Sequence, residues 1–228
     1  MTNELIFFIS ILFVCSSTLF ALRTGKHALI ALICLQAVLV NLFVTKQIAL
    51  FGFCATASDT LAIGASLGLN LLQEYWGKHT ARSTIFLSFC AALFYTALSQ
   101  LHLLYTPHAL DTTHEHFCAL LTPLPRIIGA SLITYLFVQW IDYHLYARLK
   151  NRYQGTQFAF RNFISLSFTQ LLDTIFFSLL GLYGTIITTS AALRDIITIS
   201  YILKMIVIIT AVPTIALVRR YISSSSDL

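Results

Sequence analysis

The chain has 228 residues, of which 57% are apolar and only 10% are Asp, Glu, Lys or Arg, where ordinary soluble domains carry about a quarter charged residues. A mean hydropathy of +0.82 and repeated apolar runs near the roughly 20 residues that cross a ~30 Å hydrocarbon layer exclude a soluble globular domain. The net charge of +5, from 14 basic and 9 acidic residues, does not imply a nucleic-acid partner, because no exposed domain gathers the basic side chains on one surface.

Seven apolar runs follow in chain order, at 5–22, 28–45, 48–72, 84–104, 127–147, 163–183 and 196–218. An open chain in lipid satisfies its backbone polar groups by forming helices, and uninterrupted runs of this length do not suit tilted barrel strands. The expected fold class is therefore all-α, a polytopic bundle of about seven transmembrane helices. Residues 1–228 form a single transmembrane domain, with too little chain left over for a soluble one. The first run is expected to stay in the mature protein, since Glu4 replaces the basic start of a signal peptide and no small-x-small cleavage site follows.

Charge assigns an orientation to these spans. Arg23 and Lys26 follow the first run, Lys78 and Arg82 the third, Arg148, Lys150, Arg152 and Arg161 the fifth, and Arg219 and Arg220 the seventh. That places ten of the fourteen basic residues on one side, with Lys46, Arg126 and Arg194 toward the other and Lys204 inside a span. By the positive-inside rule the N-terminus lies outside and the C-terminus in the cytoplasm. The segment 105–125 is then extracytoplasmic, and its His114-Glu-His116 spacing matches no standard metal-ligand set. Five cysteines, Cys15, Cys34, Cys54, Cys90 and Cys118, form no C-x-x-C, so neither zinc nor a disulfide framework is expected.

The third run contains Gly52, Gly64 and Gly68 together with Asp59. Gly64-Ala-Ser-Leu-Gly68 reads either as a face for close helix packing or as part of a discontinuous helix at a binding site.

Charged side chains at bilayer depth cost roughly 2.5 to 3.5 kcal/mol each, which makes each a candidate functional residue. Asp59, Asp142, Asp173 and Lys204 stand out. At 1.5 Å per residue, Lys204 falls roughly 14 Å below one face and Asp173 roughly 18 Å above the other, so both reach the midplane of a ~30 Å core. They are expected to pair. Gln139-Trp-Ile-Asp142 and Gln170-Leu-Leu-Asp173 repeat a Q-x-x-D pattern at matching depth on consecutive spans, and the i, i+3 spacing puts amide and carboxylate on one helix face. The two faces are expected to meet. Ser131, Tyr135, Ser165, Ser167 and Thr169 add hydroxyls to these spans.

Amides and carboxylates present the paired donors and acceptors that suit the edge of a planar heterocycle, and Tyr135, Trp140, Tyr143, Phe176 and Phe177 supply rings to stack on it. A flat, hydrogen-bonding, mostly neutral solute fits such a site better than an inorganic ion. No phosphate-binding loop, nucleophile elbow or H-E-x-x-H motif is present, so neither an enzyme nor a self-contained ATP-driven pump is expected, and no cofactor or metal is implied.

From Asn41 to Pro213 the chain resembles the queuosine precursor transporter family (YhhQ type), formerly described as vitamin uptake transporters. The resemblance rests on Asn41 with Lys46, then Glu74-Tyr-Trp-Gly77 leading to Ala81-Arg82, then Arg126 through Ser131 to Gln139 and Asp142. It continues in Arg161-Asn162-Phe-Ile-Ser165, running to Gln170-Leu-Leu-Asp173-Thr174 and Phe176, and ends with Lys204 and Pro213. One departure is Asn70, four residues before Glu74, where the family usually has an aspartate; Asp59 matches no family position. The resemblance implies import across the bacterial inner membrane of a 7-deazaguanine for transfer-RNA modification, namely queuine, 7-cyano-7-deazaguanine or 7-aminomethyl-7-deazaguanine. On this reading Gln139, Gln170 and Asp173 meet the base edge and Lys204 balances Asp173. Asn41, Asn70, Glu74, Arg126, Ser131, Asp142 and Arg161 complete the site or shape its approaches. The partners are then the small-molecule 7-deazapurine and the lipid bilayer, with a homodimer left open. Two rivals also stand open: a substrate-capturing membrane subunit of an ATP-driven vitamin-type importer, and an intramembrane enzyme or scaffold.

Overall fold

The structure, a computed structural model, describes residues 2–152 and 158–206. Helix α1 (Asn3–Thr24) turns at Gly25, whose φ of 129° needs no side chain, into α2 (Lys26–Phe43). A hairpin of β1 (Gln47–Leu50) and β2 (Phe53–Thr56) follows, and then the long helix α3 (Asp59–Leu103). A short α4 (His114–Leu121) leads to α5 (Leu124–Arg152) and α6 (Phe158–Phe177), which ends in a π-helical turn, Ser178–Leu182. The last described helix, α7, spans 190–206.

Two expectations change here. The run 48–72 is not one helix, because its first part folds into the β1/β2 hairpin and the helix begins only at Asp59. Hydropathy does not separate a short apolar strand from a buried helical segment, but the turn does. Phe51 and Gly52 both take positive φ, 51° and 81°, between the Leu50–Phe53 pair, which is the two-residue turn that matches strand twist. Exposed strand edges are untenable in lipid unless protein covers them, and here neighbouring helices do so. Asn3 Nδ2 donates to Ala49 O at 2.8 Å, the Phe51 amide donates to Glu4 Oε1 at 3.2 Å, and Gln47 Nε2 donates to Ile186 O. Leu50 and Ala55 are fully buried against Phe7, Ile199 and Leu203.

The third and fourth runs are also not separated by a loop. They are halves of α3 broken at Gly77, whose φ of 83° interrupts an otherwise continuous helix. A Cβ there meets nothing within 4 Å, so glycine is used for its backbone freedom rather than for space.

Among the described residues four helical segments are long and apolar enough to cross a membrane: Asn3–Thr24, Lys26–Phe43, His79–His102 and His114–Val138. Large exposed apolar side chains, including Phe13, Phe20, Phe86 and Phe94, cover the outside, as expected where the solvent is lipid. The face of α3 bearing Gly64 and Gly68 packs against α1 and α2. A Cβ at Gly64 would overlap Val14 and approach Gln36 Nε2 at 2.9 Å, and one at Gly68 would approach Ile33 Cγ1 at 2.8 Å. The small residues are there for close packing, the first of their two readings.

Candidate functional site

The opposite face of α3 opens onto a cavity of about 380 Å³ lined by α2, α3, α5, α6, the π turn and α7, with Thr56 and Ser58 from the end of the hairpin. Asp59, Ala62, Ala65, Ser66 and Leu69 line it from α3, a spacing of three and four residues that keeps them on one helix face. Their small size leaves the space that Gly64 and Gly68 close on the other side.

At the centre Lys204 Nζ of α7 donates to Asp173 Oδ2 of α6 at 2.6 Å and to Thr174 Oγ1 at 3.0 Å. The Thr174 hydroxyl in turn donates to Gln170 O at 2.8 Å. The expected midplane partners therefore meet. The side chains of Lys204 and Asp173 remain 28% and 34% exposed, and since both line the cavity a solute can reach the pair. Gln170, Asn41 and Ser131 also line it, with Asn41 Nδ2 tied to Ala37 O at 2.7 Å. Of the aromatic residues, Phe89, Tyr135 and Phe177 reach the wall, and the Phe89 and Tyr135 rings meet with centroids 5.3 Å apart. Phe176 instead packs edge-on against Phe137 at 4.9 Å, and Trp140 faces outward.

Other candidates lie elsewhere. Arg126 donates through Nε to Leu180 O at 2.9 Å and through its terminal nitrogen to Tyr183 O at 2.6 Å. It closes carbonyls left open by the π turn, beside the cavity rather than in it. Asn70 sits at an exposed position of α3 outside the cavity lining. The side chains of Glu74, Gln139, Asp142 and Arg161 lie outside the described residues, and with them the meeting of the two Q-x-x-D faces; so does Pro213. In the segment before α4 the Asp111 carboxylate accepts the amide and hydroxyl of Thr113, both at 2.7 Å, which holds it below the usual carboxylate range. His114 of the same segment turns to Cys118.

Sequence reasoning passed over Ser200, whose hydroxyl donates to Asp59 Oδ1 at 3.0 Å. Its signal was available, since Ser200 and Lys204 are one turn apart on the same face of α7. Thr56, Ser58 and Ser66 gave no such signal, because only the hairpin and the α3 register bring them to the wall.

An apolar helical assembly around a cavity that carries a charge pair marks a multi-pass membrane protein. The model of a family described as "Putative vitamin uptake transporter" matches residues 56–218, and the chain belongs to this family of transporters, the queuosine precursor transporters. A protein of Bacillus subtilis (strain 168) described as "Probable queuosine precursor transporter" is 27% identical over 190 residues, which cover 83% of this chain and 82% of that protein. No solved structure matches the chain. The family is one of transporters and not of enzymes, with a small-molecule substrate and a membrane setting.

Proposed function

We propose that the chain is a seven-span importer of a queuosine precursor, a 7-deazaguanine, in the bacterial inner membrane, with its N-terminus outside and its C-terminus in the cytoplasm. The observation that carries this reading is the Asp173–Lys204 pair, held at 2.6 Å yet open to the cavity. An ionised carboxylate accepts two hydrogen bonds side by side, which the ring N–H and exocyclic amine of a guanine-like edge can donate. Gln170, Asn41 and Ser131 offer further donors and acceptors around it, and Tyr135, Phe89 and Phe177 flank a planar ring. The cavity volume, about 380 Å³, falls in the range of small-molecule sites, roughly 300 to 1,000 Å³. The printed description of the Bacillus subtilis relative names the same solute class. Gln139, Asp142, Glu74 and Arg161 join the site on the strength of the family resemblance, while Arg126 shapes its rim through the π turn.

The test is uptake by the purified chain alone in liposomes, with labelled 7-deazaguanines competed by queuine, its two precursors and guanine. Accumulation of a 7-deazaguanine without any ATPase module is the expected result, and no uptake of any of them would refute the reading. The orientation is checked separately by labelling an introduced cysteine from outside the cell. Thr112→Cys should react and Gln154→Cys should not.

A further inference from the structure

Among the described residues two carboxylates and one ammonium line the cavity, and that count does not balance. Asp173 is matched by Lys204 at 2.6 Å. Asp59 Oδ1 accepts the Ser200 hydroxyl at 3.0 Å, with Thr56 as a further polar neighbour, while its Oδ2 is buried with no hydrogen-bond partner among the described residues. The neighbouring Thr56 hydroxyl is engaged with Ser58 at 3.0 Å. An ionised Asp59 would therefore hold a surplus negative charge in a low-dielectric region, which is costly unless a proton or cation joins it. The N-terminus of α3, where Asp59 sits, favours the charged form with a partial charge of roughly +0.5, less than the surplus. The two influences oppose each other, which suits a group that must both take up and release a proton.

We propose that Asp59 is a proton-binding site that couples solute uptake to the proton gradient, its Oδ2 carrying one proton inward with each neutral 7-deazaguanine. This rests on the reading of the cavity as a 7-deazaguanine site. The carboxylate takes a proton from the outer side to become a carboxylic acid and returns it to the cytoplasm, so nothing is oxidised or reduced. A solute that fills the cavity displaces water from around Asp59, and desolvation favours the neutral carboxyl. Proton and neutral solute therefore strengthen each other's binding by the same factor. Among the described residues the charged and titratable groups that share the cavity with Asp59 are Lys204 from α7, Asp173 from α6 and Tyr135 from α5. Asp195 of α7 points instead to the Cys54 amide, at 3.4 Å, and α2 brings only the uncharged Asn41 to the cavity. Because Ser200 and Lys204 are one turn apart, an ionised Asp59 competes with Asp173 for the ammonium. Release of the proton thus loosens the contact that holds the solute edge.

The test uses the purified full chain with 7-cyano-7-deazaguanine, which is neutral, beside 7-aminomethyl-7-deazaguanine, which brings its own positive charge. Binding of the nitrile should strengthen at least about fivefold per pH unit as pH falls through the range where Asp59 titrates, with close to one proton taken up per solute bound. Binding of the amine should not gain from acid. In liposomes an inward acid gradient should drive nitrile accumulation, and Asp59→Asn should abolish both the accumulation and the proton uptake while downhill exchange persists. Ser200→Ala, which keeps the carboxyl but removes the donor that favours its charged form, should shift the pH profile to higher pH, and it keeps the test alive if Asp59→Asn does not fold. Nitrile binding that ignores pH, proton uptake that survives Asp59→Asn, or accumulation driven by sodium instead of acid would overturn the proposal while leaving the functional reading intact. Failure to bind any 7-deazaguanine would overturn the functional reading itself.

Discussion

The two faces of α3 carry polar residues into different settings. Away from the cavity, at the α1 seam with Gly68 and within the second half of α3, hydroxyls bond back to their own helices: Thr18 Oγ1 donates to Val14 O at 2.9 Å and Thr84 Oγ1 donates to Thr80 O at 2.9 Å. Toward the cavity Asn41 and Thr174 also bond back to their own helices, but the bonds from Ser200 to Asp59 and from Lys204 to Asp173 and Thr174 cross between elements. Burial does not separate the two, since Thr18 and Thr84 on one side and Ser200 on the other are all buried. What separates them is whether a polar group is satisfied locally or depends on a partner from another helix. A locally satisfied hydroxyl asks nothing of the fold, whereas a cross-element charge pair fixes the relative position of two helices and offers the same atoms to a solute.

The largest expected effect lies on the cavity side. Asp173→Asn removes the charge partner of Lys204 and should weaken 7-deazaguanine binding by at least about tenfold, since hydrogen bonds to charged groups contribute roughly 1.5 to 3 kcal/mol; titration calorimetry reads this directly. Unchanged affinity would end the assignment of the base edge to this carboxylate. On the packing side Gly64→Val drives a side chain into Val14 and Gln36. It should destabilise the protein by about 1 to 3 kcal/mol, seen as a lowered melting temperature in detergent, while affinity of the folded fraction holds. A variant that loses affinity without losing stability would show that the two faces are not independent.

Smaller effects sharpen the contrast. Gln170→Ala should cost about 0.5 to 1.5 kcal/mol of binding free energy, or roughly threefold to tenfold in affinity, with little change in melting temperature. Thr84→Val keeps the shape and removes only a hydroxyl bonded to its own helix, so stability should change by less than about 0.6 kcal/mol and transport not at all. A large loss in Thr84→Val would mean that a back-bonded hydroxyl does more than satisfy itself.

Much of the candidate site is legible in the amino-acid sequence. Asp173 and Lys204 were singled out because charge at bilayer depth is costly and the counted rise brought both to one level, and they meet at 2.6 Å. Gln170 was legible from its place one turn from Asp173, and Asn41 and Ser131 from the family pattern. Arg126 was named from the family pattern, and its guanidinium serves the carbonyls of Leu180 and Tyr183. No hydropathy or spacing argument predicts where a helix will widen into a π turn and leave carbonyls open. Asp59 was conspicuous as a charge without a family position, yet its place in the cavity depends on Ser200, which lies 141 residues further along the chain.

Composition and hydropathy alone determined that the chain belongs in a membrane and folds mainly as helices, because each apolar run must satisfy its backbone locally and face lipid outwardly. They also marked the charges that need partners. Only the tertiary structure decided that residues 47–56 form a hairpin, since an apolar strand survives in this setting only when neighbours cover it, here the Asn3 and Glu4 side chains of α1 and the Ile186 carbonyl that accepts from Gln47. It alone decided which face of α3 is packed and which is open. Both faces of that helix carry small residues, Gly64 and Gly68 on one and Ala62, Ala65 and Ser66 on the other, and the difference between a seam and a cavity is set by what other helices bring against them.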